Sequence, residues 1–237
     1  MKFSHAESLS IDANLSVHYQ LVLDHIGPLL TTERRQKIDR VVAGRNFETA
    51  VVLEGIYDRG NISAVMRTAE GLGFANFHVI ETQEKFKEAN RVTQGADKWV
   101  EVQKWKKTQE CIKALKAEGY RICVTTLEAA KPIEQIDFSG KTALVLGNER
   151  DGVTREMIEA ADERMIIPMP GFVQSFNISV AGALCLYHIM QDRNRRRGSN
   201  ADLSPTEQEI LKALYYLRTQ DSATDYLREM FSRGTLV

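Results

Sequence analysis

Cysteine is scarce in this 237-residue chain: Cys111, Cys123 and Cys185 are the only three. An odd number, with no Cys-x-x-Cys or Cys/His spacing, argues against a disulfide framework and against a structural metal site. Cys123 and Cys185 lie in apolar runs and read as small buried hydrophobes of a reducing cytoplasm. No apolar stretch approaches the roughly 18 residues of a membrane span. The opening segment, MKFSHAESLSIDANLS, has no apolar signal core, so a cytoplasmic location is expected. The Asn-Ile-Ser triplets at Asn61 and Asn177 fit the glycosylation pattern and are discounted for the same reason.

An excess of charge is also missing. Lys and Arg total 31 against 32 Asp and Glu, a net charge of −1, so overall charge would not draw this chain to nucleic acid. Such binding needs local patches. Three exist: Arg34, Arg35, Lys37 and Arg40; Lys104, Lys106 and Lys107; Arg193, Arg195, Arg196 and Arg197. Each, taken alone, reads better as a solvated helix face or loop.

Common catalytic signatures are absent too. Gly71-Leu-Gly73 lacks the third glycine of a dinucleotide fingerprint and ends a helical pattern instead of opening one. The segment LGNERDGV has no Gly-Lys-Ser/Thr, and no GxSxG or HExxH occurs. The five histidines are scattered, and no metal is expected.

What is present is an alternation. Residues 1–48 read as a helical extension, with a helix over Ile11–Leu30 and a basic helix from Glu33 to Ala43, capped by Thr32 and closed by Gly44. Apolar strands are expected at Ala50–Leu53, Phe77–Ile80, Trp99–Val102, Ile122–Thr126, Ala143–Leu146 and Met165–Ile167. Helices are expected at Asn61–Leu72, Thr108–Glu118, Thr154–Ala161 and Ile178–Met190. That order predicts an α/β domain over 49–197, with a mostly parallel sheet covered by helices on both faces. Asn194–Ser204 is polar and reads as a linker. Ser204, Pro205 and Glu207 open a helical tail within 198–237.

Three segments are unusual. In EGIYDRGNISAVMRTAEGLG, Asn61 stands where a helix should start and can cap it, with Arg67 six residues on. In LVLGNERDGV, a strand stops at Gly147 and Asn148, Glu149 and Gly152 follow. Glycine there lets a ligand approach the backbone at the carboxyl edge of a sheet. In IIPMPGFVQSFNISVAGALCLY, a stiff, partly apolar loop precedes a helix of small residues. That suggests a loop that is buried or holds a ligand. The bland alternatives are a plain cap, a plain βα turn and a packing helix.

Taken in order, N-x5-R, LxLGNExxG and IPMxGxxxSxNxSxA resemble the three signature motifs of the SpoU (TrmH) branch of the SPOUT methyltransferases, over residues 31–197. The tRNA guanosine-2′-O-methyltransferases of that branch are the nearest match. The resemblance implies a deep C-terminal trefoil knot, an exception to the rule against knots. It also implies a homodimer and S-adenosylmethionine as methyl donor, held by Thr125, Leu146, Gly147, Ile167, Met169 and Phe176. Arg67 falls on the family's catalytic arginine; Asn61, Glu149, Ser175 and Asn177 fall on its other functional polar positions. Arg34, Arg35 and Arg40, with Arg193 expected after the last helix, would contact RNA phosphates. The implied activity is 2′-O-methylation of a ribose in RNA, with guanosine in tRNA favoured. The alternatives are a ribosomal RNA enzyme of the same family and a non-catalytic RNA-binding module. The five polar residues standing together argue against the last.

Overall fold

The described residues within 46–166 alternate apolar runs with helical segments, and they fold as parallel strands interspersed with helices. The computed structural model describes residues 3–81, 95–220 and 222–233, which form two units: 46–202, and the two flanking stretches together.

In the first unit the strands are β3 (Asn46–Glu54), β4 (Phe74–Ile80), β5 (Glu101–Trp105), β6 (Arg121–Thr125), β7 (Lys131–Pro132), β8 (Thr142–Leu146) and β9 (Glu163–Ile166). Their order is β5-β4-β3-β8-β6-β9-β7, and every neighbouring pair is parallel. Period-two alternation splits the core. Val51, Leu53, Phe77, Cys123, Leu144 and Leu146 face α3 (Arg59–Gly71) and α6 (Ile178–Arg197). Ala50, Val52, Ile122, Val124, Ala143 and Val145 face α4 (Thr108–Ala117) and α5 (Arg155–Ala160). Both faces are therefore dry, as continuous apolar strands require. All three cysteines are buried, and burial pushes their thiols up to about 12, so they pack and do not react.

Small residues on α6 have a steric reason. A Cβ on Gly182 would meet Leu146 Cδ1 at 3.1 Å and Val65 Cγ2 at 3.1 Å, so α3, α6 and β8 converge there. A polar network also lies inside the unit. Trp105 Nε1 donates to His78 Nδ1 at 3.0 Å, and His78 Nε2 meets Asn76 Oδ1 at 3.1 Å. Asn76 Nδ2 donates to the Tyr120 hydroxyl at 2.9 Å, which donates to the Phe47 carbonyl at 2.7 Å. An indole is only a donor, so His78 must carry its proton on Nε2. Burial lowers His78 to about 4, and the ring is neutral.

Helix α6 runs to Arg197, well past the expected Met190. Asp192 and Arg193 look like helix-ending polar residues, but tertiary partners bury both. The Asp192 carboxylate accepts from Phe138 N at 3.0 Å. Arg193 donates to the carbonyls of Phe138 and Gly140, both at 3.2 Å, and to Glu48 Oε2 at 2.9 Å. The expected linker is likewise fastened. Asn46 Nδ2 donates to the Asn200 carbonyl at 2.7 Å, and the Asp202 carboxylate accepts from Phe47 N at 3.0 Å and from Glu48 N at 2.6 Å.

The second unit corrects the reading of residues 11–18 as helix. They belong to a hairpin of β1 (Ser8–Ser10) and β2 (Ser16–His18). Leu9 and Val17 pair and are buried while their serine neighbours are exposed. Asp12 turns the hairpin, its carboxylate accepting from Asn14 N at 2.8 Å and Leu15 N at 2.9 Å, a competition that helix cannot match. Helix α1 (Tyr19–Ile26) follows, then α2 (Thr32–Ala43), whose cap is Thr31 and not Thr32. α7 (Pro205–Thr219) starts with the capping box of Ser204 and Glu207, and α8 (Ala223–Ser232) ends the described chain. α7 packs on α1 and α2, so both ends of the chain share one core.

Candidate active site at the carboxyl edge

The chain order reverses at β3: β4 and β5 lie on one side, β8 and β6 on the other. Ligands of open α/β sheets bind at such a point, outside the carboxyl ends of the strands. The three motif segments all emerge at this edge, after β3, β8 and β9.

After β3, Gly55 takes φ +63° and its N–H donates to the Ile80 carbonyl at 3.1 Å. The cap of α3 is Asp58, whose carboxylate accepts from Gly60 N at 2.7 Å; this corrects the expectation that Asn61 caps. Asn61 sits inside the first turn and its side chain is spent elsewhere. After β8, Asn148 and Gly152 close a tight turn by two backbone bonds, 3.0 and 3.1 Å. Asn148 Oδ1 accepts from Arg150 N at 2.9 Å and Asp151 N at 2.7 Å, which leaves Glu149 at the turn's exposed tip. A Cβ on Gly147 would fall 2.1 Å from the Gly152 carbonyl carbon and 2.2 Å from Val153 N, so no other residue fits.

These turns bring three of the predicted polar residues together. Asn61 Nδ2 donates to Glu149 Oε1 at 2.5 Å, and Asn177 Nδ2 donates to Asn61 Oδ1 at 3.4 Å. Asn177 caps α6, its Oδ1 accepting from Ser179 N at 2.9 Å. One hydrogen-bonded chain thus ties motif one to motif two and motif three, each donor polarising the next. Arg67 and Ser175 are exposed and outside this chain; among the described residues no ion pair or hydrogen bond holds the Arg67 guanidinium.

Of the predicted donor-binding residues, Thr125 ends β6, its hydroxyl donating to the Val145 carbonyl at 3.1 Å. Leu146 is fully buried against α6, so only its backbone faces the edge. Ile167 and Met169 are half-buried, and Phe176 is exposed beside the more exposed Phe172 and Val173. Arg34, Arg35 and Arg40 lie on α2 of the other unit, the first two half-buried, Arg40 exposed. Arg193 is corrected: its side chain is 0% exposed and paired with Glu48, so it anchors the loop before β8 and does not meet phosphate.

Sequence reading missed Glu54. This buried carboxylate ends β3, accepting from Thr108 Oγ1 at 2.6 Å, Thr154 Oγ1 at 2.8 Å and Thr154 N at 2.9 Å. It fastens the starts of α4 and α5 to the edge. A lone acid closing an apolar strand was the available signal.

A profile of the SpoU rRNA methylase family matches residues 48–187. The chain belongs to this family. A relative from Borreliella burgdorferi, named tRNA (guanosine(18)-2′-O)-methyltransferase, is 37% identical over 201 residues, 82% of this chain and 91% of its own length. The crystal structure of the A. aeolicus TrmH/SpoU tRNA modifying enzyme superposes with a TM-score of 0.71 at 30% identity, covering 80% of this chain and 96% of that one. An AdoMet-bound rRNA methyltransferase from Sinorhizobium meliloti superposes with a TM-score of 0.58 at 27% identity, covering 65% and 59%. SpoU membership and a parallel α/β sheet were both legible in the sequence.

Proposed function

We propose that this SpoU-family chain transfers a methyl group from S-adenosylmethionine to a ribose 2′-hydroxyl of RNA, with guanosine 18 of tRNA as the target. The observation that carries the reading is the Asn177–Asn61–Glu149 chain joining all three motifs at the sheet's switch point. The donor supplies a methyl group on a positively charged sulfonium. The residues at the edge suit it: exposed and half-buried apolar side chains for an adenosyl group, and backbone at Gly147 that no side chain obstructs. Thr125, Gly147, Ile167, Met169 and Phe176, with the Leu146 backbone, would hold it.

Arg67 keeps its proton, since a guanidinium does not deprotonate in proteins. Its role is electrostatic: it stabilises negative charge developing on the 2′-oxygen and binds an adjacent phosphate. Asn61, Glu149, Ser175 and Asn177 orient the acceptor ribose, and alignment supplies much of the rate. Arg34, Arg35 and Arg40 bind RNA backbone. The domain runs over 49–197 as a knotted SPOUT unit, between an extension of hairpin and helices within 1–48 and a helical tail within 198–237. The chain works in the cytoplasm as a homodimer, a state favoured by the exposed stripe Val180, Leu184 and Tyr187 along α6.

Purified protein incubated with tritiated S-adenosylmethionine and unmodified tRNA should yield 2′-O-methylguanosine, and an Arg67→Ala variant should lose it. Label confined to ribosomal RNA would move the substrate to the family's other branch. Absence of donor binding by calorimetry would remove the reading.

A further inference from the structure

Exposed large apolar side chains of residues 46–202 are not scattered. Among the described residues, apart from the α6 stripe, they are Tyr57, Leu127, Phe172, Val173 and Phe176, which follow β3, β6 and β9 at the carboxyl edge. Strand β8 and its Gly147 turn divide them. Leu127 and the three residues after β9 stand on the side of the donor-binding positions. Among the described residues Tyr57 is the one such side chain on the side of Asn61 and Arg67, the residues assigned above to the acceptor ribose.

Its loop is fixed at both ends. Gly55 N is bonded to Ile80, and Ile56 packs against the core. Asp58 caps Gly60, and Asn61 N donates back to the Asp58 carbonyl at 3.0 Å. Between these anchors Tyr57 is 49% exposed, and no hydrogen bond or ring contact engages its side chain among the described residues. A large, apolar, pre-positioned ring held out to solvent loses little freedom on contact with a flat ligand. Single-stranded RNA is recognised by aromatic stacking of splayed bases.

We propose that Tyr57 is a stacking platform for a nucleobase of the acceptor RNA, either the target base or its immediate neighbour, and so positions the ribose beside Asn61. This rests on the methyl-transfer reading above. The test is steady-state kinetics of the full chain with tRNA, using Tyr57→Ala, Tyr57→Phe and Tyr57→Trp, with donor binding followed by calorimetry. Stacking predicts a loss of about ten-fold in kcat/KM for RNA in the alanine variant, from the typical strength of base–aromatic stacking. Donor affinity should stay unchanged, and Phe and Trp should restore most of the activity. Wild-type kinetics in Tyr57→Ala would overturn the platform and leave the methyltransferase intact. A Phe variant as poor as Ala would overturn it as well, because the hydroxyl and not the ring would then matter. A wild-type chain inactive on every RNA would remove both.

Discussion

Gly147→Ala tests the geometry of the edge most directly. The new methyl carbon would lie 2.1 Å from the Gly152 carbonyl carbon, 2.2 Å from Val153 N and 2.3 Å from the Gly152 oxygen. All three are backbone atoms, so no side-chain rotation relieves the overlap. The turn can open only by breaking the Asn148–Gly152 pair of bonds. Overpacking typically costs 1–3 kcal/mol, and a clash with backbone belongs at the upper end, about 3 kcal/mol. For a chain of 237 residues that is a fall of roughly 6–12 °C in Tm. Opening the turn also displaces Glu149 from Asn61, so methyl transfer should fall far more than stability does. Thermal melts and initial rates at a temperature where the variant is still folded separate the two effects. A variant with wild-type Tm and wild-type kcat would refute the argument, since it would mean that the turn does not close on Gly147.

A double-mutant cycle of Asn61→Ala and Glu149→Ala, read in kcat/KM, should give a coupling of about 1 kcal/mol, modest because Glu149 is exposed; additive losses would separate the two residues functionally. Arg193→Ala should cost about 3–5 kcal/mol in urea unfolding, because the buried Asp202 carboxylate and Glu48 lose their cation, while RNA affinity of the folded variant stays put. Unchanged stability with weakened RNA binding would restore its phosphate role. His78 is lowered to about 4 in the fold from 6.5, so its contribution is complete above pH 6.5 and disappears as pH falls towards 4. That is about 3 kcal/mol, and a His78→Gln variant should lose this part of the pH slope in denaturant titrations. Equal slopes in the two proteins would contradict it.

The inner strands β3, β4, β6, β8 and β9 were legible because their residues are apolar on both faces, whereas the polar edge strand β5 lies at Glu101–Trp105 and not at the expected Trp99–Val102, and the two-residue β7 was missed. The helices α3 to α5 were legible to within a few residues from their caps and terminal glycines. What failed were places where a tertiary partner changes the meaning of a polar residue. Asp192 and Arg193 look like a helix end, but Asp192 accepts from Phe138 N and Arg193 pairs with the buried Asp202. Asp202 looks like linker and is a cap for two β3 amides. The β1–β2 hairpin was hidden because its two-residue period adjoins the apolar residues of α1. At the site, Asn61, Glu149 and Asn177 were named from sequence, but spacing along one chain cannot say that three loops converge on Asn61. Glu54 and Tyr57 carried no spacing signal at all.

Residues 3–45 and 203–233 share one unit, while Asn46–Asn200 and Phe47–Asp202 bonds tie the two borders of the α/β unit together. The two flanking stretches are therefore one structural module, interrupted in sequence by the α/β unit. Deleting residues before 46 would leave Ile210, Leu211, Tyr215 and Tyr216 of α7 without the α1 and α2 side of their core. A swap of the flanking stretches between relatives has to be made at two junctions simultaneously, and a chimera cut at only one would carry half a module.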